Sequence, residues 1–345
     1  MKMYPTGEEP AWPAINTKHP SDILVSVVVP TYRRPELLRR CLTELCAQTL
    51  DRTRYELVVV DDGLDDATRR EVLGWAEAGT RPIIRYLTSP APRSGPAVAR
   101  NIGWRAARGG IIAFTDDDCR PLPEWLEAGC AAFADSAVSG AWGRIVVPIP
   151  DEPTDYERNT AGLEDAPCAT ANCFYRKTAL HAVGGFDERF TAAWQEDSDL
   201  QFALLEARHQ LVEVPDAVVV HPVRPASWGI SIRQQRNNLF NALLFKKHPA
   251  LYRLWIQASP PWHYYANAAA LLGAAAGWTV ESLWLLGPSL MVWTASVGQF
   301  CAKRLKSTSR RAAHVAEMVV TSALIPPVAV YWRLRGAIKY RVAFL

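Results

Sequence analysis

The seven cysteines include no CxxC pair, so the sequence encodes neither a thioredoxin-like redox centre nor a zinc ribbon. Cys41/Cys46 and Cys168/Cys173 share a spacing inside apolar patterns, as small packed hydrophobes do. An odd, unpaired set points to a reducing compartment. No GxGxxG follows the first strand-like run, which argues against a dinucleotide-binding dehydrogenase. An apolar signal core is missing from residues 1–23, a proline-punctuated leader, so the head is expected to face the cytoplasm. Acids are scarce towards the C-terminus. Residues 217–345 hold fifteen of the 38 Lys and Arg but only two of the 35 acids, Glu281 and Glu317. Such asymmetry predicts a globular head and a tail that meets a polyanion, either nucleic acid or an anionic membrane. No RNP or zinc-finger pattern is present, so nucleic acid is not expected as a partner.

What is present centres on Ile111-Ile112-Ala113-Phe114-Thr115-Asp116-Asp117-Asp118. A short apolar run of this kind predicts a buried strand that delivers acids to the end of a sheet. Three adjacent carboxylates repel one another, and ordinary packing does not favour them. A hard divalent cation resolves the repulsion, and Mg2+ commonly takes one or two carboxylates together with phosphate oxygens. A solvated acidic turn is the plainer alternative, and the flanking pattern decides between them.

That pattern is strand–helix alternation. Leu24–Val29 ends at Pro30-Thr31-Tyr32-Arg33-Arg34, and Pro35 suits the first turn of a helix with an apolar face at Leu38, Cys41, Leu42 and Leu45. Leu57–Val60 ends at Asp61-Asp62-Gly63. A helix over about 65–78, a strand at 83–87 and a basic helix over 96–108 containing Arg100-Asn101 lead into the central strand. A helix is predicted over 122–134, a strand over 141–147 and a mobile loop over 148–166. Glu196-Asp197 opens an amphipathic helix whose acids also suit the helix dipole, and a strand at 218–220 delivers His221. The expected fold class is α/β, a mostly parallel sheet flanked by helices, with ligands beyond the strands' carboxyl ends. Three strands end there in polar residues.

In their order, Val27-Val28-Val29-Pro30-Thr31-Tyr32, Val59-Val60-Asp61-Asp62-Gly63, Gly95-Pro96-Ala97-Val98-Ala99-Arg100-Asn101, Asp116-x-Asp118, Gly184-Gly185-Phe186-Asp187 and Glu196-Asp197 closely resemble the family 2 glycosyltransferases of GT-A fold. The resemblance spans about 24–222. It implies that Pro30, Thr31, Tyr32, Arg33, Asp62, Arg100, Asn101, Asp116 and Asp117 bind the nucleotide sugar. Asp62 is implied to hydrogen-bond the base. Asp118, with Asp116 and His221, is implied to hold Mg2+ or Mn2+. Asp197, beside Glu196, is implied to be the catalytic base of an inverting transfer to an acceptor hydroxyl. Two other readings stand beside this one. A sugar nucleotidylyltransferase carries a glycine-rich loop where Pro30-Thr31-Tyr32 stands here, and a catalytically inactive relative would serve as a membrane-bound binding or scaffold module.

Residues 223–260 interleave Arg233, Arg236, Lys246, Lys247 and Arg253 with apolar residues and contain no acid, which suggests an interfacial helix on lipid headgroups. Gln234-Gln235-Arg236 lacks the spacing and tryptophan of processive enzymes, so polymer synthesis is not expected. Residues 261–345 read as a membrane-associated helical region. A hairpin at about 264–302 carries aromatics near its ends, and Lys303, Arg304, Lys306, Arg310 and Arg311 follow on the cytoplasmic side. A third stretch, about 315–332, is interrupted by Pro326-Pro327 and is expected to be a broken, re-entrant or interfacial helix. Seating at the cytoplasmic membrane suggests a lipid-linked glycan acceptor.

Overall fold

A computed structural model describes residues 23–77 and 82–345; the expected leader, residue 23 apart, lies outside the described residues. Eight strands form one sheet: β1 (Val25–Thr31), β2 (Tyr55–Asp61), β3 (Ile83–Thr88), β4 (Ile111–Phe114), β5 (Arg120–Pro121), β6 (Val138–Val146), β7 (Cys173–Arg176) and β8 (Gln210–Val220). Their spatial order is β3-β2-β1-β4-β7-β6-β8-β5. The β1/β2, β1/β4, β2/β3 and β6/β8 pairs are parallel. Antiparallel β7 sits between β4 and β6, and β5 pairs antiparallel with β8. The sheet is therefore mixed, though mostly parallel.

Helices cover both faces, which is why the central strands read as continuous apolar runs. The alternation within them is strict. Val27, Val29, Leu57, Val59 and Ala113 face one core with Leu38 and Leu42 of α1 (Pro35–Leu45). Val28, Val58, Val60, Ile112 and Phe114 face the other, with Ala97 and Trp104 of α3 (Pro96–Ala106). Helix α2 (Asp66–Glu77) precedes β3, and α4 (Trp125–Ala131) lies over β8. The segment over 148–166 is not an open loop. It folds into α5 (Asp155–Ala161), opened by a reciprocal Thr154–Glu157 capping box that a scan for apolar periodicity passes over. Helices α6 (Lys177–Val183) and α7 (Glu196–Glu206) complete the head, and β8 extends eleven residues where a three-residue strand is expected from the sequence.

The C-terminal region departs further from expectation. Three short helices follow, α8 (Ile230–Gln234), α9 (Asn238–Lys247) and α10 (Pro249–Leu251), and the apolar residues of α9 face protein. Leu239, Phe240, Leu243 and Leu244 of α9 are buried in a core with Phe190, Phe202, Tyr252 and Phe344. Their cations turn inward: Lys247 pairs with Asp187 and Asp199, and Lys246 donates to the Tyr340 carbonyl. The apolar pattern that suggests a lipid face is a protein interface.

Helices α11 (Trp262–Thr279) and α12 (Leu283–Leu305) form the expected antiparallel hairpin. Small residues let its backbones approach, with Gly277 against Leu286 and Gly273 against Ser289. Leu272, Trp278, Leu283, Trp284 and Met291 on the hairpin stand exposed, Trp284 to 92 %. Helix α13 (Ala312–Tyr340) is unbroken across Pro326-Pro327, against expectation. Two amide donors are lost there, but burial of Ile325, Pro326 and Ala329 keeps the helix continuous. It is the one helix among the described residues that is long and apolar enough to cross a membrane, and 44 % of its most apolar window is buried. Arg333, near its C-terminal end, is buried over the Phe344 ring at 4.2 Å.

Helix α13 crosses α9 at Gly336, where an added Cβ would lie 2.7 Å from the Leu239 carbonyl oxygen and 3.0 Å from Ala242 Cβ. Gly336→Val should destabilise the protein by about 1–3 kcal/mol through overpacking. A lowered midpoint of chemical unfolding reports it, and an unchanged midpoint would refute this crossing.

Candidate active site

Parallel pairing places the ends of β1, β2 and β4 on one rim of the sheet. Thr31 pairs with Asp61, and Val28 with Phe114, two residues short of the acids. Register therefore converts three separate sequence segments into one edge.

Three of the expected nucleotide-binding residues are held by the frame around them. Asp117 is 3 % exposed and accepts from Thr31 Oγ1 at 2.8 Å and Arg34 Nη1 at 3.1 Å. Burial raises its pKa to about 6, against the pull of Arg34. Both Asp62 carboxylate oxygens accept backbone amides, from Ser94 at 2.9 Å and Gly95 at 3.0 Å. Asp62 thus organises the loop before α3, and any hydrogen bond to a base must use its remaining lone pairs. Gly95 is required in that loop, because its φ is +104° and a Cβ would meet the Thr191 backbone at 3.1 Å. Asn101 spends its side-chain amide on bonds within the protein. It is fully buried, donates to the Phe186 carbonyl and Glu188, and accepts from the Phe186 amide and Trp104 Nε1. These bonds give it a structural role, fixing Gly185-Phe186 against α3. Tyr32 remains at the surface of the rim, bracketed by the Arg33 and Arg93 guanidiniums at 5.7 and 5.4 Å. Pro30 belongs to β1 and pairs with Val60.

Arg100 joins the two halves of the site. Buried on α3, it donates to Asp116 Oδ1 and to Glu196 Oε1, each at 2.8 Å. The fork of a guanidinium suits two carboxylates from different elements. Asp116 is held below the ordinary carboxylate range: burial opposes ionisation, but Arg100 and other nearby cations outweigh it. Glu196 goes the other way, raised to about 7, chiefly by burial with Asp197 adding to it. Asp197 is also raised, by burial above all, while its Oδ1 accepts the Ser198 amide at 2.7 Å. Gln195 enters α7 in the left-handed region, φ 73°, and sets the direction in which this acid pair leaves the helix.

One oxygen each of Asp116 and Asp118, the Cys119 thiol and one His221 ring nitrogen lie within 4.8 Å of one another. Strand β8 delivers His221, whose amide donates to the Val146 carbonyl at 2.8 Å. Asp118 Oδ2 and His221 Nδ1 are buried without a hydrogen bond. Two carboxylates and an imidazole suit Mn2+, and the carboxylates suit Mg2+. Burial and the neighbouring acids push the Cys119 thiol well up, which keeps it protonated and a poor ligand. Arg224 Nε stands 3.0 Å from Asp118 Oδ2. Sequence reasoning does not single out Arg224, Arg34, Arg93 or Cys119. Arg224 follows His221 by three residues, and that offset is the available signal.

A mixed α/β sheet with a buried acidic rim, a carboxylate–imidazole cluster and an acid pair on the adjoining helix defines the GT-A class of nucleotide-sugar transferases. The sequence profile of glycosyl transferase family 2 matches residues 26–187, a little under half of the chain. Glycosyltransferase AglE of Haloferax volcanii is 29 % identical over 58 % of this chain and 67 % of its own length. The pre-mycofactocin glycosyltransferase of Mycobacterium tuberculosis is 32 % identical over 59 % of this chain and 44 % of its own. Validoxylamine A glucosyltransferase of Streptomyces hygroscopicus subsp. jinggangensis is 38 % identical over 66 % of this chain and 62 % of its own. The chain thus spans from under half to about two thirds of these relatives. Among solved structures, a mannosyltransferase from Pyrobaculum calidifontis in complex with GDP-Man and Mn2+ superposes with a TM-score of 0.54. It is 22 % identical and the match covers 93 % of this chain and 88 % of that one, a likeness of fold.

Replacing Arg100 by Met would leave Glu196 and Asp116 facing each other without their shared cation. The variant should lose about 3 kcal/mol of stability near neutral pH, whereas Arg100→Lys keeps part of it. Equal unfolding midpoints for wild type and Arg100→Met would contradict the bridging role.

Proposed function

We propose that this protein is a metal-dependent, inverting glycosyltransferase. It moves a sugar from a nucleoside diphosphate donor to an acceptor hydroxyl, on a lipid-linked glycan at the cytoplasmic face of the membrane. The observation that carries the reading is the pairing of Asp116, of the candidate metal cluster, with Glu196, next to Asp197, through one buried guanidinium. Donor diphosphate and acceptor hydroxyl must meet across a few ångströms, and Arg100 fixes the groups for each relative to the other.

Asp116, Asp118 and His221 would hold Mg2+ or Mn2+, which when bound supplies Lewis-acid neutralisation of the leaving diphosphate. Asp197 takes the acceptor proton as the hydroxyl attacks, and Glu196 stays paired with Arg100. A base with a raised pKa suits this role, because it holds the proton it receives more firmly. Attack from the side opposite the leaving group inverts the anomeric centre. The Mn2+ and GDP-Man of the Pyrobaculum complex support a nucleotide sugar and a divalent cation here.

The membrane part of the reading rests on the α11–α12 hairpin. Its exposed apolar residues include Trp278 and Trp284, and the cations Lys303, Lys306, Arg310 and Arg311 follow its base. An apolar projection with a basic collar matches a bilayer surface.

The test is transfer of labelled sugar from nucleotide donors into organic-extractable lipid, using membranes that contain the full chain and Mn2+. Wild type should label lipid, and Asp197→Asn should abolish transfer while retaining donor binding. Near-normal turnover in Asp197→Asn would remove the base assignment, and label confined to water-soluble products would remove the lipid acceptor.

A further inference from the structure

A cleft of about 390 Å3 opens where the head meets the C-terminal helices. Its walls are the start of α5, the segment 223–231 that follows His221, and the first turns of α13. The volume falls in the range of small-molecule pockets, roughly 300–1,000 Å3.

His314 lines this cleft from α13. It is 6 % exposed, and neither ring nitrogen has a hydrogen-bond partner. An imidazole buried in this way has lost water at both nitrogens without compensation, a cost that a ligand group would relieve. The other polar walls are already oriented. Asp155 is held by Arg304 at 2.7 Å, Glu157 by the Thr154 cap, and Glu317 by the Gly229 amide at 2.7 Å. Each carboxylate keeps lone pairs free beyond these bonds.

The charge on the walls decides the ligand class. An anionic headgroup entering the cleft would meet three carboxylates, Asp155, Glu157 and Glu317, against one lining cation, Arg224, with Arg304 already paired to Asp155. A neutral polyol meets acceptors in those carboxylates and donors in His314 and Arg224, and the Tyr156, Ile230 and Met318 side chains add apolar surface. Arg224 also gives the cleft its place in the reaction. It lines the cleft and at the same time stands 3.0 Å from Asp118 in the candidate metal cluster, so the two sites share a wall.

We infer that this cleft is an acceptor subsite for a neutral sugar unit, anchored by His314. The inference rests on the transferase reading above and extends it. It gives α13 a second duty: the C-terminal helices complete the site as well as seating it.

Saturation-transfer NMR on the full chain in detergent tests this, with glucose, mannose, N-acetylglucosamine, maltose and inorganic phosphate as probes. At least one sugar should receive saturation. Ala226→Trp, at an exposed position on the cleft wall, should abolish the signal. His314→Ala should weaken binding about tenfold, the worth of one hydrogen bond to a buried group, and His314→Gln should restore part of it. Mn2+-dependent binding of nucleoside diphosphates should persist in all three variants. Failure of every sugar to bind, sugar binding unchanged in Ala226→Trp, or binding of phosphate in preference to sugars would overturn the inference. Loss of nucleotide binding in the wild type with sugar binding intact would instead overturn the donor reading and leave the cleft assigned.

Discussion

The sheet edge is governed by an excess of buried negative charge that its own fold must neutralise. Asp116, Asp117, Asp118, Glu196 and Asp197 converge from two elements, and isolated carboxylates would not ionise together in so little water. Arg34 meets Asp117, and Arg100 meets both Asp116 and Glu196. Asp118 meets Arg224 Nε at 3.0 Å, with His221 Nε2 3.7 Å away. Asp118 Oδ2 is nonetheless buried without a hydrogen bond, in the cluster where a divalent cation is proposed to sit. Arg100 shapes the edge by tying Asp116 to Glu196, and Asp116 and Asp118 are the carboxylates proposed to meet a metal.

The same logic links the active helix to the C-terminal region. Helix α7 carries Glu196-Asp197, and within the same first turn Asp199 Oδ2 accepts from Lys247 Nζ of α9 at 2.7 Å while His248 lies between Asp199 and Glu206. Asn241 of α9 accepts from Trp194 and Gln195, the residues that turn the chain into α7. The region beyond the head therefore buttresses helix α7, and the cations of α9 are used inside the protein. The α11–α12 hairpin leaves Leu272, Trp278, Leu283, Trp284 and Met291 exposed.

Much of this is legible in the sequence because the physics is local. Strand alternation at Val27–Val29 and at Leu57–Val60 follows from period two, and acids at strand ends announce a ligand edge. Helix α5 escapes such a reading because its signal is the Thr154–Glu157 box rather than an apolar stripe. The role of Asn101 is hidden because the Arg100-Asn101 pair looks equally polar in sequence, yet helix geometry sends one side chain to the acids and the other to Phe186. The basic α9 reads as a lipid-facing helix because nothing in its own segment reveals Asp187 and Asp199, the distant acids that meet Lys247. Pairing across long sequence separations is the part that composition and periodicity do not encode.

The central claim is that this acidic edge binds a nucleoside diphosphate through a divalent cation. Thermal unfolding of the full chain with nucleoside diphosphates, in Mn2+ and again in EDTA, addresses it directly. At least one nucleotide should raise the unfolding temperature in Mn2+, with the shift lost in EDTA and in Asp118→Ala. Equal stabilisation in EDTA, or an undiminished Mn2+-dependent shift in Asp118→Ala, would contradict it.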